Sequence, residues 1–274
     1  MRYLTIIMFL AFILSSCEQT PYEDLDYVML WSDEFNQAQI DTSNWNFESG
    51  TGCQYGLNGW GNGEAQYYTS DNASLVNNDF LKIESRKELY SFTDCDGNSS
   101  ASEYTSARLN SKYNFDFKYG RVEASIKMDV TNGLWHAFWM LPTYPTSSWP
   151  LSGEIDIMEQ YRVNGINKLI TTVHFGYGMI GEDYDSLTTN FFNDFHTYAV
   201  EWDRVSIKWY IDDVQVFQVN KTQNQDLETN WPFNEPFHLI LNTAVGGTLG
   251  GTPDFDENQE MLIDYVRVYQ KTIL

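Results

Sequence analysis

Hydrophobic and polar side chains alternate at every second position along most of the chain after Tyr27. The segment RVEASIKM (121–128) has apolar residues at its even positions, which is the pattern of a strand that covers a core with one face. The pattern continues in YAVEWDRVSIKWYIDDVQVF (198–217), with a turn near Asp203 and a hairpin turn at Asp212 and Asp213. We therefore expect an all-β chain, one antiparallel sandwich of many strands with curved sheets.

The length of the chain indicates how many domains it forms, and its charge excludes some classes of binding partner. The 274 residues suffice for one large β domain, and no linker indicates a second. A formal net charge of -22 argues against nucleic acid, whose phosphates would be repelled. Aromatic residues make up 16% of the chain, more than a core alone absorbs, and exposed rings suit the flat C–H faces of sugars. A neutral carbohydrate is the expected partner.

The N-terminus, MRYLTIIMFLAFILSSC, has one Arg, an apolar run and then small residues. The run is too short for a membrane span, so residues 1–16 are expected to form an export signal. LSSC resembles the cleavage box of bacterial lipoproteins, which implies that Cys17 carries lipid; an ordinary signal with a chance cysteine is the alternative. Residues 17–26 would then be a polar tether, and the acyl chains would anchor the domain at a membrane, either the outer membrane or the cell surface.

Cys53 and Cys95 remain after the signal. An oxidising compartment outside the cytoplasm would allow them to form a disulfide, and two free thiols are the alternative.

GEIDIMEQ (153–160) places three carboxylates among Ile, Ile and Met. In a regular strand Glu154 and Asp156 share one face, while Glu159 would point into the core. Burying that glutamate alone would cost several kcal/mol. One extra residue in a β-bulge resets the alternation and returns Glu159 to the face of the other two acids. We therefore predict a bulged strand with three acids on the floor of a cleft.

Two such carboxyls, held about 5 to 5.5 Å apart, are the apparatus of a retaining glycosidase. One attacks the anomeric carbon, while the other protonates the leaving oxygen, and their mutual repulsion separates their pKa values. The third carboxylate, Asp156, would orient Glu154. The alternatives are a site for a hard cation such as Ca²⁺ and a solvated face of an edge strand.

GEIDIMEQ resembles the Glu-x-Asp-x-x-Glu motif of glycoside hydrolase family 16, in the bulged form typical of laminarinases. The resemblance extends over nearly the whole chain from residue 27 to 274. The matching segments follow the family's order: WSDEFN (31–36), GWGNGEAQYYT (59–69), YTSARLNSK (104–112), YGRVEASIKM (119–128), GLWHAFWMLP (133–142), HTYAVEWD (196–203), LNTAVGG (241–247) and IDYVRVYQ (263–270).

This resemblance implies a β-jelly-roll sandwich with a substrate groove on its concave face. It implies Glu154 as nucleophile, Asp156 as the assisting carboxylate and Glu159 as acid/base. Trp135 and Trp139 would stack on sugar rings, with Trp135 the more exposed; the alternative places both in the core.

The remaining implied positions lie in other parts of the chain. Asn62, Glu64 and Arg108 would recognise hydroxyls, although Arg108 could instead pair with a cleft acid. His174 would lie beside the catalytic strand or serve a structural role. No cofactor is expected for catalysis. The positions implied for a structural Ca²⁺ are Glu34, Asp79 and Asp264, the first two through backbone oxygens.

The leading hypothesis is a monomeric, exported endo-β-1,3-glucanase whose partner is a β-glucan such as laminarin. A non-catalytic glycan-binding lipoprotein on the same fold is the alternative from another class. Among enzymes, family members that cut mixed β-1,3/1,4-glucan or another β-linked polysaccharide share the motif. His136 stands where laminarinases commonly have Pro, so the sequence constrains the reaction more tightly than the substrate.

Overall fold

The computed structural model describes residues 27–176, 178–185, 187–223 and 225–272. The predicted export signal, Cys17 and the tether lie outside these ranges. Strands dominate the described part of the chain: β1 Tyr27–Asp33, β2 Asn46–Glu48, β3 Gln66–Tyr68, β4 Ala73–Val76, β5 Phe80–Thr93, β6 Ser99–Ser106, β7 Arg108–Asn110, β8 Gly120–Met128, β9 Leu134–Pro142, β10 Glu154–Val163, β11 Ile166–Phe175, β12 Gly178–Tyr184, β13 His196–Trp202, β14 Ser206–Ile211, β15 Val214–Asn220, β16 Phe237–Val245 and β17 Gln259–Lys271.

The helices of the described residues are short. The α-helices are α1 Thr189–Phe192, α2 Gln225–Thr229 and α3 Gly247–Gly250. The 3-10 turns are Cys53–Tyr55, Asn58–Gly61, Ser70–Asn72 and Lys221–Gln223. None of these helices has the length and apolar character needed to cross a membrane.

The strands of the described residues form two sheets. The larger has ten strands, in the order β15-β14-β13-β8-β17-β5-β6-β3, with β1 beside β17 and β4 beside β5. The smaller has seven, in the order β12-β11-β10-β9-β16-β7-β2. Neighbouring strands are antiparallel apart from the short β3–β6 pair. One hydrophobic cluster joins Ile155 and Phe138 of the smaller sheet to Ile126 and Trp209 of the larger. The predicted antiparallel sandwich is confirmed.

The turns also follow the sequence. Asp212 and Asp213 both have positive φ angles, 49° and 62°, and connect β14 to β15 as the predicted hairpin turn. The side chain of Asp203 accepts hydrogen bonds from the backbone N–H groups of Val205 and Ser206, which closes the turn between β13 and β14. Cys53 and Cys95 are joined by a disulfide.

Strand β8 differs from its prediction, because its polar face is buried as well. Arg121 is fully buried although it lies opposite the core residues of the same strand. Its guanidinium donates to Glu123 at 2.9 Å and to Asp213 at 2.6 Å. A buried charge is tolerated when it is paired in this way. The alternation correctly identified the strand, but it did not reveal that the second face is covered too.

Candidate active site

The central feature of the site is an irregularity in β10. Asp156 pairs with Trp139 of β9, yet Met158 pairs with Phe138, the next residue along, so one residue of β10 is extra. Against β11, the register also shifts between Asp156 and Glu159. Ile157 and Met158 are consequently both buried in the core cluster. The predicted β-bulge is confirmed, and it turns Glu159 away from the core.

The bulge places the three acids together on the face of the smaller sheet that is turned away from the larger sheet. Asp156 and Glu159 are 2% and 7% exposed, whereas Glu154 retains more access to solvent. β10 has β9 on one side and β11 on the other. The alternative of a solvated edge strand is therefore wrong.

Glu154 has a polar partner on each side. Oε2 accepts a hydrogen bond from the indole N–H of Trp149 at 2.9 Å. Oε1 lies 3.6 Å from Nε2 of His174, which is also 3.3 Å from Oδ2 of Asp156. His174 is opposite Glu154 in the β10–β11 register, so the predicted position of this histidine beside the acid strand is confirmed.

Glu159 receives a hydrogen bond from Trp135, whose indole N–H lies 2.9 Å from Oε1. Trp139 is on the same strand face and donates to Asn242 at 2.7 Å. Both tryptophans are half-buried. They therefore belong to the acid-bearing face rather than to the core, which decides between the two alternatives left open by their even spacing.

Burial and mutual repulsion shape the titration of the acids. Burial, reinforced by the charge of Asp156, raises the pKa of Glu154 to about 8. Burial likewise raises the pKa of Asp156 to about 8, although the side-chain hydrogen bond with Glu154 acts to lower this pKa. Burial and the two neighbouring carboxylates raise the pKa of Glu159 well above its ordinary value. Because buried carboxyls this close repel one another, the three do not all ionise together.

The partners distinguish the acids. His174 and the Trp149 hydrogen bond both lower the pKa of Glu154 and so favour its ionised form. Glu159 is repelled by both other acids, with the Trp135 hydrogen bond and His174 as the opposing influences. This asymmetry suits Glu154 as an ionised nucleophile and Glu159 as a protonated acid.

The other expected sugar-binding residues form a second polar group on β3, β7 and the loop before β3. Arg108 forms an ion pair with Glu48, and its guanidinium lies 4.6 Å from the ring centre of Trp60 and 4.8 Å from that of Trp139. Arg108 therefore pairs with an acid of the neighbouring strand β2 and not with the three acids of β10, although its charge still lowers the pKa of Glu154.

Asn62 and Glu64 are hydrogen-bonded to each other at 3.1 Å. The other oxygen of Glu64 accepts from Gln66 at 2.7 Å and from the Tyr68 hydroxyl at 3.1 Å. Gly247 lies between Glu64 and Trp135. A Cβ atom built at Gly247 would be 3.3 Å from Cγ of Glu64 and 3.6 Å from the ring of Trp135. Asn62 and Glu64 therefore lie on the Trp135 side of the acid cluster.

Trp149 is the functional residue that the sequence reasoning missed. It lies in the loop between β9 and β10, and 58% of its surface is exposed. Its ring centre is 5.8 Å from that of His174. The high tryptophan content predicted sugar-binding rings in general but did not single out Trp149. The local signal for Trp149 was its position five residues before Glu154.

His136 replaces the family's usual proline with a polar contact inside the sheet. Its ring is fully buried, with Nδ1 2.9 Å from the Thr243 hydroxyl and Nε2 2.9 Å from the carbonyl of Asp129. Burial lowers the pKa of this imidazole to about 4, so the neutral form is the one that the fold accepts.

The positions implied for Ca²⁺ lie elsewhere, around β17. The carboxylates of Glu34 and Asp79 act to raise the pKa of Asp264, which is half-buried, so the three groups are close enough to interact. Both oxygens of Glu34 are engaged by Arg267, at 3.0 and 2.7 Å. The side chain of Glu34 is therefore committed to an ion pair, and the donor set fits Ca²⁺ only if Glu34 binds through its backbone oxygen, as the resemblance implies.

A sandwich with a bulged acid strand and flanking tryptophans defines a carbohydrate-active enzyme of the glycosidase class. The profile described as "Glycosyl hydrolases family 16" matches residues 59–267. The chain belongs to this family. Similar proteins include glucan endo-1,3-beta-glucosidase A1 of Niallia circulans, 39% identical over 89% of this chain and 38% of that protein. Beta-glucanase of Rhodothermus marinus is 35% identical over 96% of this chain and 93% of that protein.

Solved structures agree with this assignment. The catalytic domain of an endo-1,3-beta-glucanase (laminarinase) from Thermotoga petrophila RKU-1 superposes with a TM-score of 0.82. It is 39% identical in sequence and is matched over 90% of this chain and 99% of that domain. The jelly-roll fold expected from the sequence is thus confirmed. The chain spans less than half of the Niallia circulans protein and nearly all of the Rhodothermus marinus one.

Proposed function

We propose that this chain is a retaining endo-β-1,3-glucanase of the laminarinase type, acting as a monomer. The observation that carries the proposal is the bulge in β10, which brings Glu159 to the face that holds Glu154. The similar β-1,3-glucanases supply the substrate class. The net charge of -22 supports a neutral glucan over a polyanionic one.

The reaction follows from the positions of the acids. Ionised Glu154 attacks the anomeric carbon and forms a glycosyl ester, while Glu159 gives its proton to the departing glycosidic oxygen. Glu159, now ionised, then takes a proton from water, and the resulting hydroxide equivalent displaces Glu154 from the sugar. Two inversions at the same carbon give net retention. No cofactor takes part in either step.

The neighbouring residues would hold these groups in place. The indole of Trp149 holds one oxygen of Glu154, and Asp156 forms a side-chain hydrogen bond with Glu154. The other oxygen of Glu154 can then approach the sugar. Trp135 orients Glu159 through its indole N–H, and Trp139 presents its ring on the same face. Arg108, Asn62 and Glu64 extend the polar surface for sugar hydroxyls.

The direct test is Glu154→Ala, assayed for release of reducing ends from laminarin. Hydrolysis should fall to background, with a circular dichroism spectrum like that of the wild type. Glu103→Ala is the matched control, because Glu103 is exposed on β6 of the other sheet, and it should keep full activity. A folded wild-type protein that binds glucan but releases no sugar from it would favour the non-catalytic alternative.

We also propose that the chain is exported and anchored to a membrane through lipid on Cys17. The support is the N-terminal sequence MRYLTIIMFLAFILSSC. Mass spectrometry of the mature protein from its host should find an acylated N-terminal Cys17, and Cys17→Ser should move the protein out of the membrane fraction. An unmodified Cys17 or an unchanged distribution would contradict the proposal.

We further propose a structural Ca²⁺ bound by the side chain of Asp264 with backbone oxygens of Glu34 and Asp79. The half-buried Asp264 carboxyl and its acidic neighbours support it. Adding Ca²⁺ to chelator-treated protein should raise the melting temperature of the wild type but not of Asp264→Asn. Equal responses in the two proteins would argue against this site.

A further inference from the structure

Three side chains of the acid cluster also have the composition of a metal site. One nitrogen, Nε2 of His174, lies 3.3 Å from Oδ2 of Asp156 and 3.6 Å from Oε1 of Glu154. Each of Glu154, Asp156 and His174 offers one ligand atom such that all three atoms lie within 4.8 Å of one another. They combine one imidazole with two carboxylates.

Asp156 adds a second observation, an oxygen whose hydrogen-bonding capacity is unused. Its side chain is only 3% exposed, and its buried Oδ2 atom has no hydrogen-bond partner among the residues that the structure describes. A buried carboxylate oxygen without a hydrogen bond has lost its hydration without compensation, which is unfavourable. This oxygen is the one that faces Nε2 of His174. The atom is therefore directed into the space between the three side chains.

Glu154 is oriented in the same way. Its Oε2 atom is held by the indole of Trp149 at 2.9 Å, which leaves Oε1 toward His174. The side chains of His174 and Glu154 are 22% and 16% exposed, so an ion could enter from the solvent side. The loop that carries Trp149 thus presets one ligand atom beside the unpartnered oxygen of Asp156.

The spacing suits a small tetrahedral ion. Zinc bonds to nitrogen and oxygen are about 2.0 to 2.2 Å long, so ligand atoms in a tetrahedral site lie about 3.3 to 3.6 Å apart. The two nitrogen–oxygen separations, 3.3 and 3.6 Å, are close to this value, and the whole set of ligand atoms lies within 4.8 Å. Ca²⁺ takes six to eight oxygens, and Mg²⁺ demands octahedral oxygen geometry, so neither matches a set that includes imidazole.

We propose that Glu154, Asp156 and His174 form a binding site for one zinc ion, with the fourth position open to the solvent. Bound zinc blocks turnover because it occupies the oxygen of Glu154 that would attack the sugar. Binding itself does not depend on the proposed glucanase activity; only the inhibition rests on it. The site would make the enzyme sensitive to free zinc in its surroundings.

Isothermal titration calorimetry of zinc into tag-free protein tests the site. All samples carry Cys17→Ser, because Cys17 is the one cysteine outside the disulfide. Excess Mg²⁺ and Ca²⁺ occupy nonspecific carboxylate sites on so acidic a chain. The wild type should bind one zinc per chain, and a chelator should reverse both binding and the inhibition of laminarin hydrolysis.

Matched variants separate metal binding from catalysis. Glu159→Gln removes the acid/base but none of the three ligands, so it should be inactive and still bind zinc like the wild type. His174→Gln should weaken binding by more than about 100-fold, because even indirect disturbance of a ligand costs about 10- to 100-fold. Asp156→Asn should weaken it as well, and serves as the second variant should His174→Gln fail to fold.

His196→Gln controls for histidine content, because the His196 side chain has an exposure similar to that of His174 but lies beside Asp212 on the other sheet. This variant should keep the site. Unchanged zinc affinity in His174→Gln and Asp156→Asn, or the absence of saturable binding to the wild type, would overturn the proposal. Zinc binding by a protein that cleaves no glucan would refute the glucanase function and leave this site standing.

Discussion

Trp149→Phe should move the pH dependence of hydrolysis, because it removes a hydrogen bond to the nucleophile while keeping an aromatic ring. The indole N–H donates to Glu154 Oε2 at 2.9 Å and stabilises the ionised carboxylate. Phe has no donor, so the ionised form loses stability and the pKa of Glu154 rises. The acidic limb of the kcat/KM profile should therefore shift to higher pH.

The size of the shift follows from the hydrogen bond. Bonds to charged groups contribute about 1.5 to 3 kcal/mol, and the exposure of Trp149, 58%, places this one at about 1.5 kcal/mol. That free energy corresponds to about one pKa unit. Below the acidic limb, kcat/KM should fall about tenfold relative to the wild type, and near the plateau the loss should be much smaller. Because the acids are coupled, the limb reports the titration of the cluster as a whole.

The assay is kcat/KM on a β-1,3-glucan oligosaccharide across the stable pH range. Trp139→Phe is the matched control, since its indole donates to the amide oxygen of Asn242 at 2.7 Å rather than to an acid. That variant should change KM and leave the limb in place. An unmoved limb in Trp149→Phe, or an equal movement in both variants, would refute the role assigned to Trp149.

Three further variants test other parts of the account. Glu159→Ala should lose activity on laminarin but recover turnover of an activated aryl glucoside with added azide, giving a β-glucosyl azide; no recovery would contradict its acid/base role. The pKa of buried His136 is lowered to about 4, so its unfolded form binds more protons and the fold loses stability as pH falls from about 6.5 toward 4. In urea unfolding, His136→Gln should reduce the loss of unfolding free energy between pH 6.5 and 4.5 by up to about 2 kcal/mol. An unchanged pH dependence of that free energy would refute this. Replacing Cys53 and Cys95 by Ser should lower the free energy of unfolding by about 4 kcal/mol, because the disulfide closes a loop with a sequence separation of 42 residues. The change should leave kcat near 25 °C unaltered, and an unchanged melting temperature would contradict the prediction.

The bulge in β10 could be predicted because the acids and the apolar residues of GEIDIMEQ conflict in a regular strand. Placing Glu159 in the core would bury an unpaired charge, and one extra residue removes the conflict. The structure follows this solution, with Ile157 and Met158 both in the core. Local sequence therefore determined the most important geometry of the site.

Contacts between distant segments could not be predicted in the same way. Nothing in the alternation of β8 indicated that Asp213, from the turn between β14 and β15, would cover Arg121. The ion pair of Arg108 with Glu48 depends on β2 lying beside β7, which is a property of sheet order rather than of either segment. Trp149 likewise reaches Glu154 through the path of a loop.

The anomer released first from a β-1,3-glucan is the most direct measure of the central claim that the bulge sets Glu154 and Glu159 as a nucleophile and acid/base pair. Proton NMR of the earliest products, before mutarotation, should show the β-anomer, because two inversions restore the starting configuration. First release of the α-anomer would mean a single displacement by water, and would contradict the assignment of Glu154 as a nucleophile.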